Sequence, residues 1–113
     1  MPFIDLKISI PVSDEKKEKI VAQIGKDISI MNKPESYLMI GMVDNYHLWF
    51  AGKKVEKGAM VQFSGFGDID KGSANKMTGA ICDMLKKELG LVGDNIYVTY
   101  TPIYNWGYNG KNF

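Results

Sequence analysis

Apolar and polar residues alternate at the start of the chain. The segment FIDLKISI places Ile4, Leu6, Ile8 and Ile10 on one face of an extended chain and Asp5, Lys7 and Ser9 on the other. A period of two is typical of a strand with one buried face, so this segment is predicted to form the first strand. Pro11 ends it, because proline has no N–H to donate to a sheet.

A helical period replaces the alternation in the segment DEKKEKIVAQIGKDISIM. Its apolar residues Ile20, Val21, Ile24, Ile28 and Met31 are predicted to lie on one face. Ser13 precedes the segment as a predicted N-cap. The Asn-Lys-Pro sequence ends the helix, because a residue before proline is disfavoured in the α region. The apolar run SYLMIGMV then predicts a second strand, more completely buried than the first.

The same order of elements recurs about 57 residues later. GAMVQFSG predicts a strand, and DKGSANKMTGAICDMLKKELG predicts a helix that ends at Gly90. Its buried face should hold Met77, Ile81, Met84 and Leu85. NIYVTY predicts a further strand with Ile96, Val98 and Tyr100 on one face, and HLWFAGK predicts a short strand between the halves. The chain is thus two βαβ units in tandem, followed by an aromatic, turn-rich tail.

Tandem βαβ units allow two architectures, which the pattern alone leaves open. One is the ferredoxin-like sheet with both helices on one face. The other is a pseudo-twofold version of that sheet that forms trimers. In both, the second sheet face is uncovered, and its residues are mostly apolar: Phe3, Tyr37, Met39, Val43, Met60 and Tyr97. An apolar uncovered face predicts association with another subunit.

Length and composition predict one α/β (α+β) domain spanning residues 1–113. The net charge of +1 is spread over mixed signs and indicates neither a nucleic-acid nor a membrane partner. The single cysteine, Cys82, excludes an internal disulfide and a CxxC motif. No secretory signal or membrane-spanning segment is evident, so a cytoplasmic location is expected, with export without a signal peptide left open.

Four sequence features together resemble the macrophage migration inhibitory factor family of the tautomerase superfamily. They are the initial Met-Pro, NKPESYLMIGMV after the first helix, FSGFG after the next main strand, and NIYVTY with the NWGYN tail. The resemblance covers essentially the whole chain. It implies a four-stranded mixed sheet with two helices, assembled as a homotrimer whose sheets surround a central channel. It also implies three pockets at the subunit boundaries, each with Pro2 at its floor.

Pro2 has two interpretations. It can simply be a strand-initiating residue without an N–H, or, once Met1 is removed, a secondary amine that acts as a general base. Apolar neighbours and a nearby lysine would both lower the pKa of that amine towards neutrality. Lys33 is either a solvated surface lysine or the cation that binds a substrate carboxylate; the Lys-Pro motif favours the second role.

The resemblance implies further substrate-binding residues. A main-chain amide in the loop after VQFS is expected to bind substrate, assigned to Gly65 with Phe66 as the alternative. Tyr97 and Thr99 would reach a neighbouring subunit's pocket, although Thr99 stands where animal members commonly carry asparagine. The expected aromatic lining is Tyr37, Trp106, Tyr108 and Phe113, with Tyr108 standing where tryptophan is frequent.

Three functions are compatible with these residues. The first is a keto–enol tautomerase of phenylpyruvate-like α-keto acids, with dopachrome isomerisation as a related activity. The second is a cytokine-like protein that binds a receptor and retains a weak or vestigial pocket. The third is a ferredoxin-like small-molecule sensor. No cofactor or metal is expected, because His47 has no cysteine or carboxylate cluster around it and the glycines of GFGDIDKG lack a phosphate-loop ending.

Overall fold

A computed structural model describes residues 1–113. Its strands are β1 (Pro2–Ile8), β2 (Met39–Val43), β3 (Trp49–Phe50), β4 (Lys53–Lys54), β5 (Ala59–Phe66), β6 (Ile96–Ile103), β7 (Gly107–Tyr108) and β8 (Lys111–Asn112). Its α-helices are α1 (Asp14–Asp27) and α2 (Lys71–Leu89), and 3₁₀ turns cover Ile28–Met31, Glu35–Tyr37 and Gly93–Asn95. Neither α-helix is long and apolar enough to cross a bilayer.

The central sheet has the strand order β2-β1-β5-β6. β1 runs parallel to β2 and β5 runs parallel to β6, whereas the middle pair, β1 and β5, is antiparallel. Each half is therefore one βαβ unit, and the two units meet at their first strands. The predicted tandem repeat and the four-stranded mixed sheet are confirmed.

Both helices cover the same face of the sheet. Even-numbered residues of β1 and odd-numbered residues of β5 point towards them, and the helices contribute the residues between. The fully or almost fully buried side chains are Ile4, Leu6, Ile8, Ile20, Ile24, Ile28, Val61, Phe63, Met77, Ile81 and Leu85. Burying this much apolar surface on one face is the main stabilising contribution to the fold.

The helix ends follow from local hydrogen bonding. The Ser13 side chain accepts a bond from the Lys16 N–H at 3.2 Å, and Asp70 does the same for Ser73 at 2.8 Å. These bonds satisfy N–H groups that have no partner within the helix. α2 ends at Gly90, whose φ of 66° is the left-handed conformation favoured by glycine.

The burial of the edge strand β2 differs from the sequence prediction. β2 was predicted to be buried, yet Met39 is 68% exposed and Val43 is also exposed. β2 is an edge strand, and only one of its faces packs against the helices. The apolar run alone therefore predicted more burial than β2 has within one subunit. Val21, predicted to face the core, lies on the outer surface of α1.

Three other boundaries are corrected. β1 ends at Ile8 rather than Ile10, and the last turn of the predicted first helix is a 3₁₀ turn over Ile28–Met31. HLWFAGK forms a small hairpin, β3 with β4, instead of a single strand. Gly65 and Phe66 belong to β5 itself, not to the loop after it.

Candidate active site

Pro2 is the first residue of β1 and is completely buried. It lies opposite Gly65 in the antiparallel register of β1 and β5. Met1 is still attached, so the Pro2 nitrogen is an amide. The Met1 carbonyl oxygen accepts a hydrogen bond from the Phe66 N–H at 3.1 Å. Removal of Met1 would release this N–H as well as the Pro2 nitrogen.

Lys33 reaches the same end of β5 from the segment after α1. The 3₁₀ turn Ile28–Met31 is followed by Asn32, whose left-handed φ of 56° redirects the chain. The Lys33 ammonium then donates to the Phe66 carbonyl oxygen at 3.1 Å. An ammonium has three N–H donors, so two remain for another acceptor. Lys33 is thus beside the N-terminus instead of extending into solvent.

Two adjoining clefts meet at the N-terminus. The larger, of about 380 Å³, is lined by Met1, Pro2, Phe3, Ser36, Tyr37, Leu38, Met39, Trp106, Gly107 and Tyr108. The smaller, of about 300 Å³, is lined by Met1, Tyr37, Phe66 and Phe113. We call the two together the N-terminal cleft. Met1 and Tyr37 line both parts, so one volume would open between them if Met1 were absent.

Aromatic rings form the walls of the N-terminal cleft. Tyr37 meets Tyr108 edge to face with ring centroids 5.9 Å apart, and Tyr108 is stacked with Phe113 at 6.3 Å. Phe113 also packs against Phe66, with centroids 5.7 Å apart. Such contacts fix ring orientation and leave an apolar wall suited to a flat hydrophobic group.

The C-terminal hairpin of β7 and β8 holds these rings over the cleft. Its turn, Asn109–Gly110, has positive φ at both residues, as two-residue hairpin turns require. The Phe113 N–H donates to the Trp106 carbonyl at 3.0 Å, which closes the hairpin and brings the last residue back to the site. The tail therefore contributes structure to the cleft.

The electrostatic environment of the cleft disfavours a charged amine. The pKa of the Met1 amino group is lowered from its usual value near 8, first because burial removes water from the ammonium and then because the Lys33 charge repels it. A Pro2 amine freed by removal of Met1 would lie at the same end of the cleft, where the same two effects would lower its pKa. An amine there would be more fully in its basic form at neutral pH than a terminal amine in water.

Eight of the ten predicted site residues converge at the N-terminus. They are Pro2, Lys33, Tyr37, Gly65, Phe66, Trp106, Tyr108 and Phe113. The backbone N–H that faces the chain terminus belongs to Phe66, the alternative of the two predicted amides. Ser36, Leu38 and Met39 were missed; their only sequence signal is that they flank Tyr37.

Tyr97 and Thr99 do not approach Pro2 within the subunit. Pro2 is level with Gly65 and Pro102 across the sheet, whereas Tyr97 lies five positions earlier on β6, roughly 16 Å along the strand. Tyr97 packs instead against Phe50 at 5.3 Å. Both side chains are exposed on the uncovered face, as their shared parity predicts.

Other concave surfaces lack converging chemistry. A groove of about 470 Å³ runs beside β4 and is lined mainly by lysines and apolar residues, far from Pro2. No group of three or more histidine, cysteine or carboxylate side chains is arranged to hold a metal. The N-terminal cleft is the place where a masked amine, a cation and an apolar wall occur together.

Solved structures with this arrangement of sheet and helices include macrophage migration inhibitory factor proteins. The solved structure of Leishmania major MIF2 matches with a TM-score of 0.93 and 29% identity, over 100% of this chain and 97% of that chain. A macrophage migration inhibitory factor-like protein from Entamoeba histolytica matches with a TM-score of 0.88 and 29% identity, over 99% and 98%. Macrophage migration inhibitory factor of Xenopus laevis is 23% identical, over 100% of this chain and 99% of that protein.

The family model described as macrophage migration inhibitory factor (MIF) matches residues 1–113. The chain belongs to the macrophage migration inhibitory factor family. The family resemblance and the fold read from the sequence are confirmed.

Proposed function

We propose that the protein is a keto–enol tautomerase of phenylpyruvate-like α-keto acids that uses Pro2 as general base after removal of Met1. One observation carries this proposal. Pro2 is buried at the floor of an aromatic cleft whose surroundings, burial and Lys33, lower the pKa of an N-terminal amine. A base with a pKa near the working pH is best suited to move a proton from carbon.

The proposed reaction uses four interactions. The Pro2 amine removes a proton from the carbon beside the carbonyl, and negative charge develops on the carbonyl oxygen. The Pro2 ammonium then gives its proton to that oxygen, which yields the enol and restores the free amine. The Lys33 ammonium binds the substrate carboxylate with its free donors. The Phe66 N–H no longer donates to the Met1 carbonyl in the processed chain, so it adds a backbone hydrogen-bond donor at the Lys33 end of the cleft. The aryl group lies against the wall formed by the Tyr37, Tyr108 and Phe113 rings.

The assembly proposed for this activity is a homotrimer. The sheet face away from the helices carries exposed Met39, Val43 and Tyr97, which a neighbouring subunit would cover. A fused 4-OT structure of similar fold, 13% identical with a TM-score of 0.85, is described as an asymmetric trimer. Tyr97 and Thr99 would then complete a neighbour's cleft, since they do not reach their own.

A covalent probe tests the identity of the base. The similar-fold protein Pt0534, 14% identical with a TM-score of 0.86, is described as inactivated by 2-oxo-3-pentynoate, an acetylenic α-keto acid. The Pro2 amine should add to the triple bond of this compound, with the proton passing to the neighbouring carbon and no group leaving. Peptide mass spectrometry should find the adduct on Pro2, together with loss of phenylpyruvate turnover. An adduct confined to lysine side chains would contradict the assignment.

The alternative is a cytokine-like protein that binds a receptor with the same surface and has a weak or vestigial pocket. Processed protein without phenylpyruvate turnover and without a Pro2 adduct would favour it. A direct ultraviolet assay of enol formation distinguishes the two functions. The cytoplasmic location remains a prediction.

A further inference from the structure

Gly65 occupies a space that has no room for a side chain. A Cβ built on Gly65 would lie 2.9 Å from the ring of Phe63 and 3.0 Å from the Cε atom of Lys33. Real Cβ atoms essentially never approach another atom as closely as the contact with Phe63, and the contact with Lys33 is tighter than nine in ten real Cβ contacts. Gly65 does not have the positive φ that distinguishes Gly67 or Gly90. Glycine is therefore required here for space, not for backbone conformation.

One of the two neighbours cannot yield. Phe63 is fully buried, and its ring packs against Tyr100 with centroids 5.5 Å apart. β5 is itself held between β1 and β6 by backbone pairing, so Gly65 cannot shift easily. Lys33 is only partly buried and is held by one hydrogen bond, to the Phe66 carbonyl. A side chain at position 65 would therefore displace the Lys33 stem.

We propose that Gly65 is a positioning residue whose missing side chain lets Lys33 pass over β5 and hold its ammonium beside the chain terminus. This positioning role differs from the predicted binding of substrate by the Gly65 amide, because Gly65 would affect the site only through the position of Lys33. Its effect on catalysis rests on the tautomerase function proposed above. Its effect on the N-terminal amine does not, and can be measured without turnover.

Two consequences follow for a Gly65→Ala variant of processed protein. The carboxylate-binding ammonium moves, so KM for phenylpyruvate should rise about 10-fold, the worth of a charge-assisted contact. The repulsion between Lys33 and the Pro2 amine weakens, so the pKa of that amine should rise. Lys33 is the charged side chain that lowers the pKa of the Met1 amine at this end of the cleft, and the other titratable side chains lining the cleft are the phenols of Tyr37 and Tyr108.

The test compares four processed proteins: wild type, Gly65→Ala, Lys33→Met and the double variant. Gly79→Ala is the matched control, because Gly79 is exposed on α2 and its Cβ would meet nothing within 4 Å. The Pro2 amine is titrated by ¹⁵N NMR, and KM and kcat are measured against pH. Thermal unfolding of each variant reports whether it is folded.

The expected result is a raised amine pKa and raised KM in Gly65→Ala, no change in Gly79→Ala, and no further effect of Gly65→Ala once Lys33 is methionine. If Gly65→Ala behaves like the control, or still raises the pKa in the Lys33→Met background, the inference is wrong. If wild type shows no turnover, the proposed function fails, while the NMR titration still decides the role of Gly65.

A compensating variant covers poor folding of Gly65→Ala. Phe63→Leu removes the ring that confines the new Cβ on its other side, so the pair Phe63→Leu with Gly65→Ala should return the amine pKa towards the value of Phe63→Leu alone. A pKa in the pair as high as that of the Lys33→Met variant would contradict a mechanism based on space between Phe63 and Lys33.

Discussion

Lys33 and Phe66 are joined by a hydrogen bond of 3.1 Å from the lysine ammonium to the phenylalanine carbonyl oxygen. The N–H of the same Phe66 donates to the Met1 carbonyl. One residue of β5 therefore contacts both the candidate carboxylate-binding group and the residue that blocks Pro2. Loss of Met1 would remove the acceptor of the Phe66 N–H. The bond from Lys33 uses the Phe66 carbonyl oxygen and does not involve Met1.

Removal of Met1 should switch on activity. With Met1 attached, the Pro2 nitrogen is a buried amide with no basicity, whereas the processed chain presents a secondary amine at the same place. Processed protein should exceed Met1-retaining protein in phenylpyruvate kcat by about 10²–10⁴-fold, the usual worth of a positioned base. Intact mass identifies the two forms. Equal activity in both would leave Pro2 as a strand-initiating residue only.

The pH dependence should report a lowered amine pKa. Burial and Lys33 both disfavour the ammonium at this site, so the amine loses its proton at a lower pH than the value near 8 of an ordinary terminus. Because the free amine is the active form, kcat/KM of processed protein should rise with pH and level off below pH 8. A profile that still rises steeply above pH 8 would show that the site does not lower the pKa.

Lys33→Ala should raise KM for α-keto acids while leaving the fold intact. A partly desolvated charge-assisted contact contributes about 1.5–3 kcal/mol, which corresponds to roughly 10–150-fold in KM. Lys26→Ala is the control, because Lys26 is exposed in the last turn of α1. Unchanged KM in Lys33→Ala would make Lys33 a surface residue, and equal losses in both variants would indicate a general charge effect.

Self-association should depend on the uncovered sheet face. Val43 is 46% exposed on that face, and Val21 is 37% exposed on the outer side of α1. Val43→Lys would place an ammonium in the proposed interface at a cost of several kcal/mol, whereas Val21→Lys would leave it in water. Light scattering should find a trimer for wild type and Val21→Lys, and smaller species for Val43→Lys. A stable wild-type monomer at micromolar concentration would contradict the shared cleft.

The two hairpin turns provide a matched test of stability. Ala51–Gly52 and Asn109–Gly110 both have positive φ at each residue. The left-handed conformation costs an alanine roughly 1–2 kcal/mol, and asparagine tolerates it better. Ala51→Asn should therefore stabilise the protein by about 1 kcal/mol, and Asn109→Ala should destabilise it by a similar amount. Urea unfolding measures both; changes of the same sign would rule out this explanation.

The tandem repeat was predictable because its signals are local. The alternation in β1, the apolar faces of the helices, the cap at Ser13 and the stop at Gly90 each depend on neighbouring residues. The burial of β2 was not predictable, because an apolar run does not tell which face meets a helix and which awaits another subunit. The helical period also predicted that Val21 faces the core. The buried face of α1 is narrower than that period indicated, and Val21 lies outside it.

The candidate site was predictable from residue types, and its geometry was not. The Met-Pro start and the Lys-Pro motif indicated a base and a cation. The sequence could not show that Phe66, rather than Gly65, directs its N–H to the terminus, because this depends on the register between β1 and β5. The space that Gly65 leaves for Lys33 also depends on contacts between segments far apart in the chain.

The two halves of the fold share the order strand, helix, strand, yet their first residues differ chemically. By the repeat, Ala59 at the start of β5 corresponds to Pro2 at the start of β1. The nitrogen of Ala59 lies inside the chain and is permanently an amide. Because the two halves form one chain, only the position at the start of β1 can carry a free backbone amine. The equivalent position at the start of β5 cannot, however symmetric the scaffold is. A cut that gave Ala59 its own terminus would restore the missing symmetry.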